Sequence, residues 1–513
     1  MRKATLQALG LGDALIFGPG DANTHVTNLA VDSRHVVPGA LFFALKGAQS
    51  HGADFAQIAM EKGAAAVVTS LEGAERLRGR LCEQGITAWP ATIVVTHSPR
   101  RALAHAAAAF FQKQPNEFVA ITGTNGKTSV ARFTAQIWAK LGRPAAAFGT
   151  TGVWTCNLPG DAINEPLSHT TPEPITLHRL LARLANAGVV SAAMEASSHA
   201  LAQQRVNGAR FTAAAITNLT RDHLDYHRDA ADYAAAKLRL FSEVLPNDAT
   251  AIVNADSPIA QSVREIATAR GQRMIEVGRA ANSAGAIQII DQHPDAGGQK
   301  ILIRHLGVER ALRIPLVGLF QSDNAVLAAA LALAGGADVD AVFGALEQLE
   351  GAPGRMELVA RRANGAGIFV DYAHTPDAVT AAVTAIKPHT AGRIIVIVGA
   401  GGDRDPGKRA PMGTAAAQAD FIIVTDDNPR NENPSDIRRQ VWAGLREAAQ
   451  RAQEIGDRAE AILTGVDSLE AGDVLLITGK GHETGQIIGQ EIVPFDDAEQ
   501  ARAAVAALDG LQT

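Results

Sequence analysis

Cysteine, aromatic residues and long apolar runs are all scarce in this chain. Its 513 residues include two cysteines, Cys82 and Cys156, too few for a disulfide framework or a four-cysteine zinc site, so a reducing compartment is expected. Aromatics make up 4% against 47% hydrophobic residues in all. The apolar content therefore leans on Ala, which favours helices packed closely on sheets over an aromatic-rich β architecture. The longest apolar helical run, Ala325 to Ala334, is too short to cross a bilayer. The basic start MRKATLQALGLGDALIF is interrupted by Gln7, Gly10, Gly12 and Asp13, and no small-residue cleavage site follows. A soluble cytoplasmic protein without membrane insertion is expected. An excess of positive charge is missing too. Lys plus Arg number 47 against 53 for Asp plus Glu, a net −6 with no basic block, which argues against a nucleic-acid partner.

What recurs is a short Val/Ile-rich run, a turn containing Gly or Asp, and then a helical stretch. AAAVVTS around Val67, FVAITGTNGKT from Phe118, RIIVIVGAGG from Arg393, DFIIVTDDNPR from Asp420 and DVLLITGKGHE from Asp473 all fit. Continuous apolar strands alternating with helices predict α/β domains with mainly parallel sheets covered on both faces. A break falls near THSPRRAL, where Ser98 can cap a helix that has Pro99 at its first position. A second falls near EGAPGRME, at Gly351, Pro353 and Gly354. Three domains follow, at 1–97, 98–352 and 353–513, each of ordinary size.

The sharpest local signal runs from Phe118 to Ser129. A buried strand ends at Thr122, a Gly/Asn turn follows, and Lys127 and Thr128 open a helix that stops at Leu141-Gly142-Arg143-Pro144. Glycine lets backbone N–H groups approach phosphate oxygens, and the helix N-terminus adds partial positive charge. Lys127 would reach the β- and γ-phosphates, and the Thr128 hydroxyl would hold Mg²⁺. The general phosphate-loop pattern places Gly where this chain has Ile121, so a tight turn with a surface lysine is the plainer alternative. The strand–turn–helix context favours phosphate.

Downstream, Glu195 ends the strand-like VVSAAM, and AAAITNLTRDHLDYH carries Asn218, Asp222, His223, Asp225 and His227 after another strand. Carboxylates and imidazoles at successive strand ends beside a phosphate loop suit metal ions on a nucleotide. Lys237, in the helical DAADYAAAKLRLF, reads by itself as a solvated face residue. In the last third, three strand ends carry GAGGDRD, TDDNPR and TGKGHE. Ligands collect beyond the carboxyl ends of parallel strands. The first loop fails as a dinucleotide fingerprint because the third glycine would fall at Arg404. Arg404, Asp427, Arg430 and Glu483 instead suit a ligand bearing both carboxylates and ammonium groups. Surface ion pairing would explain these charges but not their placement at three strand ends.

GTNGKTS, MEASSHAL, TNLTRDHLDYH, AAAKLRLF, GLFQSDNAVLAAA, GAPGRME and DYAHTPDA occur in the order seen in the Mur ligase family, which the chain resembles over nearly its whole length. These are ATP-dependent, amide-bond-forming enzymes of peptidoglycan precursor synthesis. The family's loop is a GTNGKT variant, which accounts for Ile121. The resemblance implies an N-terminal UDP-substrate domain, a central P-loop ATPase domain and a C-terminal Rossmann-like domain that binds the amino acid. It assigns Gly123, Thr124, Asn125, Gly126, Lys127, Thr128 and Ser129 to ATP phosphates, and Asn324, Arg355 and Asp371 to the nucleotide. Thr128 and Glu195 would ligate one Mg²⁺ and His223 a second. Lys237 matches a carbamylated lysine, where CO₂ converts a cation into a carboxylate that supports the second ion. Lys127, His223 and Lys237 are thus the catalytic candidates.

Within the family, DNPR resembles members that add meso-2,6-diaminopimelate to UDP-N-acetylmuramoyl-L-alanyl-D-glutamate. The matching position to Arg430 is generally not arginine in lysine-adding relatives, and diaminopimelate exceeds lysine by one carboxylate. Arg404, Asp427, Asn428, Pro429, Arg430, Gly479 and Glu483 would hold it. Val31, Ser33, Ala48, Gln49, Ser50, His169, Thr170, Thr171, Ser197, Gln203 and Arg205 would contact the UDP-dipeptide, His169 at a position often occupied by Asn. The implied chemistry is acyl phosphate formation followed by aminolysis, and a monomer is expected. DNPR and the N-terminal VDSR speak against a lysine-adding ligase or a folylpolyglutamate synthetase. A P-loop regulatory NTPase would not need the acid/arginine pocket.

Overall fold

The computed structural model describes residues 3–47, 49–220 and 226–510. The chain divides into two compact units, the first comprising Met1–Lys127, Thr134–Ile275 and Leu331–Gly336, the second Thr128–Phe133, Glu276–Ala330 and Ala337–Thr513. Among the described residues no helix is long and apolar enough to cross a membrane.

The first unit holds two larger sheets besides the antiparallel pair Ala4–Thr5 and His25–Val26. The N-terminal one has the order Leu15–Phe17, Thr92–Val95, Ala66–Thr69, Ala40–Phe43, Asn28–Ala30, parallel except at Leu15–Phe17. Its strands bury alternate residues on opposite faces. Leu41, Phe43, Val68 and Val94 join one core, while Phe42, Val67, Ile93 and Val95 join another. Both faces being covered is why these strands read as unbroken apolar runs. The helix Pro99–Phe111 contributes Leu103, Ala106, Ala107 and Phe110 to the first of those cores, so that core extends past residue 97. The helix starts at Pro99 as expected, but Ser98 makes no side-chain cap; its hydroxyl donates to Gln204 Oε1 at 2.8 Å.

The second sheet of this unit runs Gly152–Cys156, Ala145–Gly149, Ser191–Glu195, Glu117–Thr122, Ala213–Ile216, Thr250–Asn254, parallel apart from its first pair. The strand that feeds the phosphate loop lies between Ser191–Glu195 and Ala213–Ile216. Three loops therefore emerge side by side at one edge.

In the second unit, Ile287–Asp295, Gly298–His305 and Val308–Ile314 form an antiparallel meander. Ile287, Ile289, Ile301 and Ile303 are buried while Lys300 and Arg304 face solvent. Such two-sided strands alternate in polarity, unlike the continuous runs from which the parallel strands were read. The C-terminal sheet has the order Glu357–Arg361, Gly367–Asp371, Val474–Thr478, Ile394–Val398, Phe421–Val424, Ala452–Glu454, again parallel after the first pair. Odd and even residues of Ile394–Val398 enter different cores, Ile395 and Ile397 in one, Ile394, Val396 and Val398 in the other. The expected strands near Val67, Phe118, Arg393, Asp420 and Asp473 are all present.

The helix Pro174–Asn186, whose first turn is capped by Glu173 on the N–H groups of Ile175 and Thr176, buries His178. Burial, helped by nearby His105 and Arg210, depresses the imidazole from 6.5 to about 4. Between those values the unfolded chain binds the proton and the native state does not. His178 therefore weakens the fold as pH falls below 6.5, by up to about 3 kcal/mol once pH is under 4. His178→Leu should remove that share of the acid destabilisation, checked by denaturant melts across this range. An unchanged pH slope would assign the effect elsewhere.

Candidate active site

The turn after Thr122 is held by its neighbouring strand end rather than by its own sequence. Thr217 Oγ1 donates to Asn125 O at 2.5 Å, Thr124 N donates to Asn218 O at 3.0 Å, and Asn125 N donates to Asn218 Oδ1 at 3.0 Å. Gly123 sits at φ +139°, and a Cβ there would lie 1.9 Å from Thr217 Oγ1, so only glycine fits. The helix Lys127–Lys140 follows with Gly126 at φ 84° as its N-cap, and it ends before Gly142 as the sequence predicts. Lys127 Nζ donates to Gly123 O at 3.1 Å and Thr124 O at 2.8 Å, folded over the loop whose phosphate chemistry it would serve.

Lys237 is not a solvated residue. It is 1% exposed, and its Nζ donates to Gly123 O at 2.7 Å and lies 4.4 Å from the centre of the Tyr233 ring. Its helix, Ala230–Arg239, is capped by Asp229, and Tyr233 Oη pairs with Thr124 Oγ1 at 3.2 Å. The helix thus carries Lys237 to the back of the phosphate loop. Glu195 ends its strand beside Ile121, 1% exposed, accepting from Thr150 N at 2.7 Å and Thr150 Oγ1 at 3.1 Å. Glu195, a buried carboxylate, is the type of oxygen ligand that suits Mg²⁺, and buried Lys237 would become one only as a carbamate. Asp222, His223, Asp225 and Ala48 lie outside the described residues. Among the described residues no three His, Cys, Asp or Glu side chains converge as a metal site. His227 is buried among the rings of His199, Tyr226 and Tyr233, its Nδ1 3.5 Å from Asp232. Asn218 serves as the loop's strap.

A second group surrounds a cavity of about 120 Å³ lined by Val31, Leu45, Arg100, Leu103, Glu173, Pro174, Gln203 and Arg205. Arg205 donates to Gln203 Oε1 at 2.8 Å and to Thr171 O at 2.9 Å, and burial lowers its pKa. Thr171 Oγ1 donates to Glu195 O at 2.8 Å and accepts from Ser197 N at 2.9 Å, tying this wall to the strand end that carries Glu195. Thr170 Oγ1 lies 3.1 Å from Thr150 Oγ1, and exposed His169 pairs with Ser168. Ser33 is buried beside Asp32, which Arg34 holds down at about 2. Gln49 and Ser50 are exposed in a turn closed by Gly52 N donating to Leu45 O at 2.7 Å. Arg100 and Glu173 were missed by the sequence reading; they join the cavity only through folding.

In the second unit, Asn324 donates to Gln321 Oε1 at 2.9 Å, and the Arg355 guanidinium stacks 4.7 Å from the Tyr372 ring. Asp371 accepts from Met356 N and Ala373 N at 2.8 and 2.9 Å. Burial pushes its pKa up, with Arg355 and those two N–H groups opposing.

The three C-terminal loops do meet. A Cβ on Gly479 would lie 2.6 Å from Asp427 Oδ2, Asn428 Nδ2 donates to Glu483 Oε2 at 3.0 Å, and Arg430 Nη1 donates to Gly402 O at 2.8 Å. Arg404 is exposed at the rim of the same loops, 3.7 Å from where a Gly401 Cβ would stand. Two lysines were missed. Lys408 Nζ donates to His374 O at 3.0 Å, its pKa lowered by burial while Asp427 and Asp405 oppose. Lys480 is fully buried. The signal for both was available only as lysines flanking loops already singled out.

A glycine turn opening a helix on one parallel sheet, and acid/arginine strand ends on another, suit an α/β enzyme that acts on a nucleotide and a charged substrate. The chain belongs to the Mur ligase family. Residues 121–332 match its middle domain, 354–481 its glutamate ligase domain and 25–111 its catalytic domain. It is 47% identical over 498 residues to a UDP-N-acetylmuramoyl-L-alanyl-D-glutamate–2,6-diaminopimelate ligase from Bradyrhizobium diazoefficiens, covering 97% of this chain and 98% of that one. A protein of the same name from Brucella melitensis is 46% identical, covering 95% and 96%. A solved structure with that name superposes with a TM-score of 0.72 at 31% identity over 99% of both chains.

Gly123→Ala should lower ATP turnover by about a hundredfold, since the added methyl displaces Thr217 and with it the loop. Product formation measured beside a thermal melt checks this. Turnover at the wild-type level would mean the loop does not cradle phosphate.

Proposed function

We propose that this protein joins meso-2,6-diaminopimelate to the D-glutamyl γ-carboxylate of UDP-N-acetylmuramoyl-L-alanyl-D-glutamate with cleavage of ATP, as a cytoplasmic monomer. The observation that carries the reading is the meeting of Arg404, Asp427, Arg430 and Glu483 at three strand ends, in a chain 47% identical to a diaminopimelate ligase. Two arginines suit the carboxylates of diaminopimelate, and the acids suit its ammonium groups. Asn428, Pro429 and Gly479 complete the proposed pocket.

Gly123 to Lys127 would hold the ATP phosphates, with Thr128 and Ser129 in the first turn of the helix that follows. Asn324, Arg355 and Asp371 match nucleotide-contacting positions of the Mur ligases. The UDP-dipeptide would use Val31, Ser33, Ala48, Gln49, Ser50, His169, Thr170, Thr171, Ser197, Gln203 and Arg205, with Arg205 facing one of its anionic groups. Thr128, Glu195, His223 and carbamylated Lys237 would hold Mg²⁺, which neutralises phosphate charge when bound. A carbamate needs an uncharged amine and no competing water. The burial of Lys237 supplies dryness, and its bond to Gly123 O orients the nitrogen.

The γ-carboxylate oxygen attacks the γ-phosphorus, and ADP leaves. Lys127 and the loop N–H groups stabilise the equatorial charge that develops. The neutral amine of diaminopimelate then attacks the acyl carbon. The tetrahedral intermediate collapses with loss of inorganic phosphate, and the amine proton passes to solvent.

Arg430→Ala should cut kcat/KM for diaminopimelate by about 2–5 kcal/mol, or roughly 30-fold to several thousandfold. Weak activity with lysine, which lacks the second carboxylate, should fall far less. Kinetics with both amino acids decide the matter: an equal loss for both would make Arg430 structural and remove the physical basis for diaminopimelate. Lys237→Ala should be inactive and regain partial turnover with added short carboxylates. Full activity of the unsupplemented alanine variant would refute the carbamate.

A further inference from the structure

The lysine in TGKGHE has no exposed surface and so cannot itself touch a substrate. Its three N–H donors have three acceptors. Lys480 Nζ lies 3.2 Å from Asn428 Oδ1, 2.5 Å from Gly485 O and 3.5 Å from Glu483 Oε2. Asn428 is satisfied in turn. Its Nδ2 donates to Glu483 Oε2 at 3.0 Å, and its Oδ1 also accepts from Ile487 N at 2.9 Å. Gly485 and Ile487 belong to the hairpin strand Gly485–Ile488, paired with Glu491–Pro494. That strand grips the DNPR segment directly. Gln486 Nε2 donates to Asp427 O at 2.7 Å, Arg430 N donates to Ile487 O at 3.0 Å, and Gly489 N donates to Arg430 O at 2.8 Å.

Arg430 needs such a grip. Its φ is 50°, in the left-handed region that a side chain rarely adopts, and such a conformation persists only where the surroundings over-determine it. The direction of its guanidinium follows from that backbone. Glu483, across the same pocket, has its carboxylate fixed by Asn428 and Lys480. A buried ammonium is costly unless fully hydrogen-bonded, and here every bond runs to the two loops that carry the pocket's charges or to the hairpin between them.

We propose that Lys480 is a positioning residue for the dicarboxylic amino acid, aiming Arg430 and Glu483 through Asn428 and the hairpin Gly485–Ile488. The inference rests on the diaminopimelate reading above. If Lys480 only stabilised the fold, its loss would lower stability and affect all substrates alike. If it positions the pocket, its loss appears in one substrate.

The test uses the full-length enzyme with Lys480→Met, which keeps the stem and removes the charge, and Gln486→Leu on the hairpin. Each of the three substrates is varied separately, and a thermal melt accompanies each variant. The KM for diaminopimelate should rise roughly tenfold or more in Lys480→Met and several-fold in Gln486→Leu, with the KM of ATP and of the UDP-dipeptide changed by less than about twofold. Unchanged diaminopimelate KM in both variants, or a common shift of all three constants together with the melt, would overturn the proposal. Should Lys480→Met fail to fold, Gln486→Leu decides by the same readout. Wild-type enzyme that does not use diaminopimelate would remove the functional reading and this inference with it. Use of diaminopimelate by wild type with unaltered variants would remove only the inference.

Discussion

Strands buried on both faces meet solvent only at their ends, and that constraint arranges everything else in this protein. In the Glu117–Thr122 sheet, odd and even side chains alike are spent on packing, so polar groups accumulate where the strands stop. Gly123, Glu195 and the Thr217–Asn218 pair stand at three adjacent strand ends. Each depends on the next: Thr217 and Asn218 hold the loop that begins at Gly123, and Thr171 binds the backbone of Glu195. The C-terminal sheet repeats the arrangement with different residues, its ends carrying Asp427, Arg430 and Glu483 where the other carries a glycine turn.

Charges carried inside such a framework need complete compensation. Arg458 and Asp497 form a bidentate pair at 2.7 Å with neither side chain exposed. Arg458 also donates to Thr478 O at 2.8 Å and Asp426 O at 3.3 Å, bracing the backbone just before Gly479 and Asp427. Replacing such a pair by apolar groups often costs little stability, whereas removing one member strands a buried charge. Its value here is geometric, since it fixes two strand ends that the pocket needs in register. Lys480 does the same one layer higher, and Lys237 does so beneath the phosphate loop.

The parallel strands and the phosphate loop were legible because their signals are local. Apolar runs, a glycine turn and a lysine opening a helix all lie within a dozen consecutive residues. The meander Ile287–Ile314 was not, because alternating polarity on short strands carries a weaker pattern than a continuous run. Lys237 resisted reading from the residues for a related reason. The Ala-rich helix Ala230–Arg239 has no strong apolar stripe, so nothing in its periodicity says which face turns inward. Only the motif's resemblance to the Mur ligases drew attention to it. Ser98 shows the converse: a sound capping residue at a helix start spends its hydroxyl on Gln204 because a partner 106 positions away offers a better-placed acceptor.

By itself, then, the sequence determined the class of fold, the place of the phosphate loop and the three charged strand ends, since each is written in contiguous residues whose backbone preferences are their own. Tertiary structure alone decided which charges are buried and which way the pocket points. Arg430 adopts a left-handed backbone because a hairpin more than fifty residues later bonds to both its N–H and its carbonyl, and Lys480 is dry because Asn428, Glu483 and Gly485 close over it. Those are contacts between segments remote in the chain, and no local preference of either segment contains them.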